Sequence, residues 1–176
     1  MPVKVELMRH PEIYKQPVII TKESSEGLVA FDSSPEAYGV TSGMSIRDAI
    51  SICNKAILIE FDEDYYNEIF SKTMIPMIQK IPRIELSGLG CIYLEINDPL
   101  SDELTIASSL LKEIPIAFNP RIGLAESKFP AYVTAITSNA HQATQIPIDI
   151  PDFFAKLSVT LLPISSNKTN QLKKFR

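Results

Sequence analysis

Strand-like and helix-like periodicities alternate along this chain, and that alternation limits what it can fold into. Residues 17–21 and 28–31 are short apolar, β-branched-rich runs joined by a polar turn at residues 22–27, which is the pattern of a hairpin. Ser45 followed by Asp48 forms a capping box, and Ile46, Ala49, Ile50 and Cys53 then fall on one face of the helix it opens. Residues 56–61 return to strand. Asp62, Glu63 and Asp64 suit the positive end of a longer helix, whose expected apolar face is Tyr66, Ile69, Phe70, Thr73, Met77 and Ile78. Pro76 is expected to kink or divide that helix, because it removes a donor and crowds the preceding turn.

The second half repeats the alternation. Glu6 reads as the end of a first strand. Ile92, Leu94 and Ile96 alternate with Cys91, Tyr93 and Glu95, so one face is expected to be buried while the other can carry a polar or catalytic group. Ser101 is expected to cap a helix that turns Leu104, Ala107, Leu110, Leu111 and Ile114 inward. Residues 116–124 read as strand, and Ser127 opens a further helix bearing Phe129, Val133 and Ile136. This order predicts an α+β fold in which helices cover one side of a mixed sheet, with the strand at residues 92–96 central and residues 116–124 beside it. Prolines recur from Pro147 to Pro163, which suggests a linker into a final helical piece.

At 176 residues the chain can bury a sizeable core as one compact domain or two modest lobes. Apolar runs such as residues 55–61 fall far short of the roughly 20 residues that span a bilayer, and the amino terminus lacks a basic segment followed by a hydrophobic one. A cytoplasmic protein is the expectation. Cys53 and Cys91 sit in apolar surroundings with no Cys-x-x-Cys pair, so both read as packing thiols rather than disulfide or zinc partners. Formal charge is −4, yet Lys168, Lys173, Lys174 and Arg176 all lie in the last ten residues, which hold no acid. The rest of the chain therefore carries 13 basic against 21 acidic groups. A nucleic-acid binder normally shows a basic footprint. Here only the tail does, and its four cations read either as a solvated helix end or as phosphate contacts.

Four blocks, in one order and across nearly the whole chain, carry a resemblance to a known family. Val5-Glu6, His10-Pro11-Glu12 and Gln16-Pro17-Val18 are similar to an opening V-E-x-x-x-N-P-E-L-R-G-K-P-V. The segment from Glu36-Ala37 through Gly39-Val40, Gly43-Met44 and Asp48-Ala49 resembles E-A-R-x-x-G-V-R-x-G-M-P-x-x-E-A. Arg121-Ile122-Gly123-Leu124-Ala125-Glu126-Ser127-Lys128-Phe129 resembles G-I-A-x-N-K-F, and residues 153–163 resemble F-L-x-x-L-P-V-x-x-L-P. These are motifs of the Y-family (UmuC/DinB-like) translesion DNA polymerases. The resemblance implies a ferredoxin-like palm from residues 1–5 and 81–146, a small fingers lobe from residues 6–80, and a linker with the truncated start of a helical thumb at residues 147–176.

Where that family carries paired metal-binding carboxylates in S-x-D-E-A-Y-L-D, this chain reads Gly88-Leu89-Gly90-Cys91-Ile92-Tyr93-Leu94-Glu95. The acids fall on Gly90 and Cys91. The family's first metal aspartate precedes the V-E pair and would lie ahead of Met1, so the resemblance implies that it too is absent. Among the triphosphate contacts, Pro35 stands in place of a tyrosine and no arginine lines up before Tyr38. Lys128 is retained, either as a nucleotide-phosphate contact or as a first-turn residue facing solvent. Ser34-Pro35-Glu36-Ala37 and Ala131-Tyr132-Val133 are similar to the ImuB-like branch, which lacks the catalytic acids and acts in a mutagenic repair complex.

Other acids are poor substitutes. Glu95 shares a strand face with Cys91 and reads as strand-end structure, while Asp98, Asp102 and Glu103 read as helix-capping charges. His10 and His141 have no partner cluster and read as surface groups. Gly88-Leu89-Gly90 lacks the strand-to-helix context of a phosphate cradle and reads as a hairpin turn. The resemblance thus implies a non-catalytic component of translesion or repair machinery, without cofactor, that binds DNA weakly and non-specifically through Lys168, Lys173, Lys174 and Arg176, joins other repair or replication proteins, and has no membrane role. The competing expectation is a nucleotidyltransferase that holds Mg²⁺ with rearranged acids.

Overall fold

A computed structural model describes residues 1–96, 102–158 and 161. Pro2 takes the first position of a helix, where its fixed φ and missing donor carry little cost, and α1 runs Pro2–Arg9. This corrects the strand expected to end at Glu6. Asp32 supplies the cap from a distance, its Oδ2 accepting from the Val3 amide at 3.1 Å and lying 3.2 Å from the Met1 ammonium. The expected hairpin forms: β1 (Val18–Ser24) pairs antiparallel with β2 (Gly27–Ser33). Ser45 caps α2 (Ile46–Ile52) by accepting from the Asp48 amide at 3.2 Å, and Ser45 Oγ donates back to Asp48 Oδ2. Ile46 and Ala49 are buried beneath that helix, whereas Ile50 is exposed, against expectation.

β3 (Ile57–Glu60) pairs parallel with β1, completing a sheet of order β2-β1-β3. Asp62 then caps α3 (Glu63–Ile78). Pro76 does not divide α3, since the helix ends only two residues later. The buried stripe is Tyr66, Phe70, Met74 and Met77, and Ile78 faces outward. β4 (Ile84–Leu86) and β5 (Ile92–Leu94) form a two-stranded antiparallel hairpin through the glycine turn. The strand expected at the centre of a sheet is therefore only three residues long and bonded to β4. All three of its residues are partly buried, without the expected alternation.

These elements belong to a first unit, residues 1–97 and 112–119. Its core has two clusters. One joins Ile19, Ala30, Ala37, Val40, Ile46 and Ala49; the other joins Val3, Val5, Val18, Ile20 and Tyr66. Glu6 lies in the second region at 1 % exposure, and Tyr66 Oη donates to its Oε1 at 2.8 Å. Burial first, then this bond and the carboxylate's charge, push the Tyr66 phenol far above its ordinary range. Its folded pKa is raised, so the stabilisation it gives is present below the unfolded tyrosine value of about 10 and is lost as pH rises beyond that. Tyr66→Phe is expected to leave Glu6 Oε1 without its donor and to cost about 1–3 kcal/mol in denaturant unfolding at neutral pH. An unchanged midpoint would show that the bond contributes nothing.

The second unit comprises residues 98–111 and 120–176. The Ser101 cap expected from the sequence lies outside the described residues; Asp102 accepts from the Thr105 amide at 3.0 Å, and α4 spans Glu103–Leu111. Ala107 and Leu110 are buried, Leu111 and Ile114 are partly buried, and Leu104 is exposed. Residues 116–124 are not one strand. A 3₁₀ turn covers Ile116–Phe118, Asn119 is left-handed at φ 47°, and Pro120 follows, so the strand β6 is only Arg121–Leu124. β6 pairs parallel with β7 (Gln142–Gln145) across α5 (Lys128–Thr137), and α4 and α5 both contact this pair. Ser127 precedes α5 without a side-chain cap bond. α6 (Ile150–Ala155), capped by Asp149, lies in the proline-rich stretch.

Candidate functional site

The glycine turn of the β4–β5 hairpin is where the sequence placed its lost acids. Gly88 and Gly90 both have positive φ, 104° and 84°, which side-chain-bearing residues adopt at a cost. Ser87 N donates to Cys91 O at 3.0 Å and Cys91 N to Gly88 O at 3.2 Å, closing the turn. Leu89 packs on the cluster of Val3, Val5, Val18, Ile20 and Tyr66. A Cβ added at Gly90 would stand 3.0 Å from Met1 Cβ and 3.4 Å from its sulfur. The space beside Gly90 is thus filled by a thioether side chain. Cys91 is partly buried, and that burial pushes its thiol up, while a bond with Ser87 opposes the shift. A neutral thiol in an apolar turn brings no anionic charge.

The remaining acids have other partners. Glu95 Oε2 accepts from Arg83 Nη1 at 2.9 Å, both exposed at the hairpin base. Asp102 is occupied as the α4 cap, Glu103 lies in that helix's first turn, and Asp98 lies outside the described residues. Glu6 is in the interior of the first unit. Among the described residues no three His, Cys, Asp or Glu side chains approach one another as metal ligands would. Mg²⁺ takes hard oxygen ligands in near-octahedral order, and a glycine, a thiol and a methionine do not fit it.

Lys128 is the exposed first residue of α5, in the second unit. Lys168, Lys173, Lys174 and Arg176 lie outside the described residues. Tyr38 is 90 % exposed in the turn before Gly39. His10 ends α1, and His141 sits at φ 64° just before β7. Two residues that matter to the turn region escaped the sequence reading, Asp32 and Arg83. The signal for Asp32 was its place inside a strand, where aspartate is depleted unless it has a specific partner.

The model of the impB/mucB/samB family matches residues 2–135. The chain belongs to that family. Curated relatives include DNA polymerase IV of Dehalococcoides mccartyi strain CBDB1, 30 % identical over 177 residues, covering 96 % of this chain and 45 % of the relative. Another is DNA polymerase IV of Methanoculleus marisnigri, 25 % identical, covering 95 % and 49 %. The chain spans about half the length of the curated relatives it matches. Among solved structures, DinB from Sulfolobus solfataricus superposes with a TM-score of 0.78 at 21 % identity, over 98 % of this chain and 53 % of that one. An insertion ternary complex of Dbh DNA polymerase gives the same TM-score and identity, over 98 % and 54 %. At that identity the likeness establishes fold, which is the mixed α+β fold of the Y-family palm and fingers. No helix among the described residues is long and apolar enough to cross a membrane.

Proposed function

We propose that this member of a translesion and repair family is a non-catalytic polymerase-like protein, closest to the ImuB-like branch, that serves as a component of repair or replication machinery. The observation that carries the reading is the glycine turn: Gly90 and Cys91 stand where the family pattern places carboxylates, and Met1 packs against Gly90. Two-metal phosphoryl transfer depends on positioning and on metal neutralisation of charge, so it needs acids converging on both ions. The palm, fingers and thumb-start boundaries, at residues 5/6, 80/81 and 146/147, are part of the same proposal, although the first falls inside α1. Lys128 gives a point charge to a phosphate without arginine's bidentate fork.

The opposing reading is an active nucleotidyltransferase with rearranged acids, favoured by relatives named DNA polymerase IV. A primer-extension gel separates the two. The chain is expected to incorporate no nucleotide with Mg²⁺ or Mn²⁺; template-dependent incorporation that is abolished by Glu95→Ala would establish the enzyme instead.

DNA contact, on this proposal, is weak and non-specific and runs through Lys168, Lys173, Lys174 and Arg176, because the rest of the chain is acidic. Neutralised phosphates release counterions, so anisotropy measured on primer-template DNA is expected to fall steeply with salt. Replacing the four residues by alanine is expected to remove it. Submicromolar affinity surviving that replacement would place a DNA surface on the acidic body.

A further inference from the structure

A cleft of about 420 Å³ opens in the first unit where the end of α1 meets the β3–α3 junction. Three carboxylates line it, Glu6, Glu60 and Asp62, together with Arg9 and His10. Ile59 and Phe61 give it an apolar side. Glu6 is the informative member. Its Oε1 accepts from Tyr66, but Oε2 is buried with no hydrogen-bond partner. Leaving a buried carboxylate oxygen without a hydrogen bond carries a desolvation penalty that no hydrogen bond here offsets.

The neighbouring nitrogen groups also face other carboxylates. Arg9 Nη1 is 3.4 Å from Asp62 and 3.7 Å from Glu6 Oε1, with its guanidinium 4.5 Å from the Tyr65 ring centroid. His10 Nε2 stands 3.7 Å from Glu6 Oε2, outside hydrogen-bond range, while Nδ1 is 3.1 Å from Glu12. One guanidinium therefore serves two of the three carboxylates, and one carboxylate oxygen lacks a hydrogen-bond donor.

We propose that this cleft binds a primary alkylammonium group, its N–H donating to Glu6 Oε2 with Asp62 and Glu60 beside it. A point charge fits a single open oxygen, whereas a guanidinium fork needs two. The methylene stem lies on Ile59 and Phe61, as amphipathic side chains do on apolar surface. The exposed His10 imidazole turns aside as the ammonium enters. The ligand is either a lysine side chain of a partner protein or a free diamine.

Amide-resolved NMR titration of the full chain tests this with 1,5-diaminopentane, Nα-acetyl-lysine methylamide and choline, whose quaternary nitrogen has no N–H. Saturable shifts at Glu6, Arg9, His10 and Phe61 are expected with both amines, with choline at least about tenfold weaker. Tighter binding of the lysine amide assigns a partner side chain, and tighter binding of the diamine assigns a free amine. Glu6→Gln keeps the acceptor for Tyr66 and is expected to weaken binding about tenfold or more. Should that variant fail to fold, Asp62→Asn, which retains a capping side chain, is expected to weaken binding severalfold. The proposal is overturned by the absence of saturable shifts up to about 20 mM amine, by choline binding equally well, or by unchanged binding in the variants.

Discussion

Replacing Gly123 by alanine is expected to break the second unit. A Cβ at that position in β6 would stand 2.0 Å from the Ala131 carbonyl oxygen and 2.5 Å from the Ala135 nitrogen, both backbone atoms of α5. A flexible side chain could yield to such a contact, but a helix backbone moves only as a body. The helix would have to lift from β6, and Val133 and Leu124, buried at 0 % and 9 % exposure, would lose their packing. The expected loss is at or above the roughly 3 kcal/mol that bounds ordinary overpacking, a fall in melting temperature on the order of 10 °C for a unit of this size. Circular dichroism melts check the magnitude, and hydrogen exchange in α5 checks the place. A melting temperature within about 2 °C of the parent, less than 1 kcal/mol would produce, would show that β6 and α5 can separate at no cost.

Local signals were legible where they were complete. The polar turn between two β-branched runs, the Ser45 and Asp48 box, and the acids opening α3 each fix their own few residues, and each formed. The first segment misled because Val3, Val5 and Leu7 alternate like a strand. Pro2 at the helix start and a cap supplied by Asp32, distant in sequence, decide it the other way. Residues 116–124 misled because apolar content hid an Asn119-Pro120 turn, in which a left-handed asparagine and a missing donor stop the strand.

A central strand at residues 92–96 is the mark by which the sequence reading would know a palm, and β5 instead pairs only with β4 among the described residues. Palm identity rests on the family match and the whole-chain superposition. At the candidate site, the glycine turn that holds Gly90 and Cys91 was readable from the sequence. The filling of that space by Met1 was not, since it depends on how α1 meets the turn. Nor was the Glu6 oxygen without a hydrogen bond, which depends on how Tyr66, Arg9 and His10 stand around that carboxylate.

Restoring the family's acids, Gly90→Asp with Cys91→Glu, is expected to yield a less stable chain that still extends no primer. Gly90 sits at φ 84°, and left-handed backbone costs a side-chain-bearing residue roughly 1–2 kcal/mol, although aspartate tolerates it better than most. The new Cβ would meet Met1 Cβ at 3.0 Å, so Met1 must give way or the aspartate must turn from the place its chemistry requires. The glutamate replacing Cys91 would bring a carboxylate into the partly buried ground that already pushes a thiol's pKa upward. Burial of that kind favours the neutral acid, the form that binds metal least. Even ionised, two acids leave both ions short of ligands, because Glu95 is paired with Arg83 and Asp102 caps α4. Chemical denaturation is expected to show a loss of about 2 kcal/mol, and the primer-extension gel a blank lane with either metal. Template-dependent incorporation by the double variant, against none by the parent, would mean that the turn accepts its acids and that their loss alone separates this chain from an active enzyme.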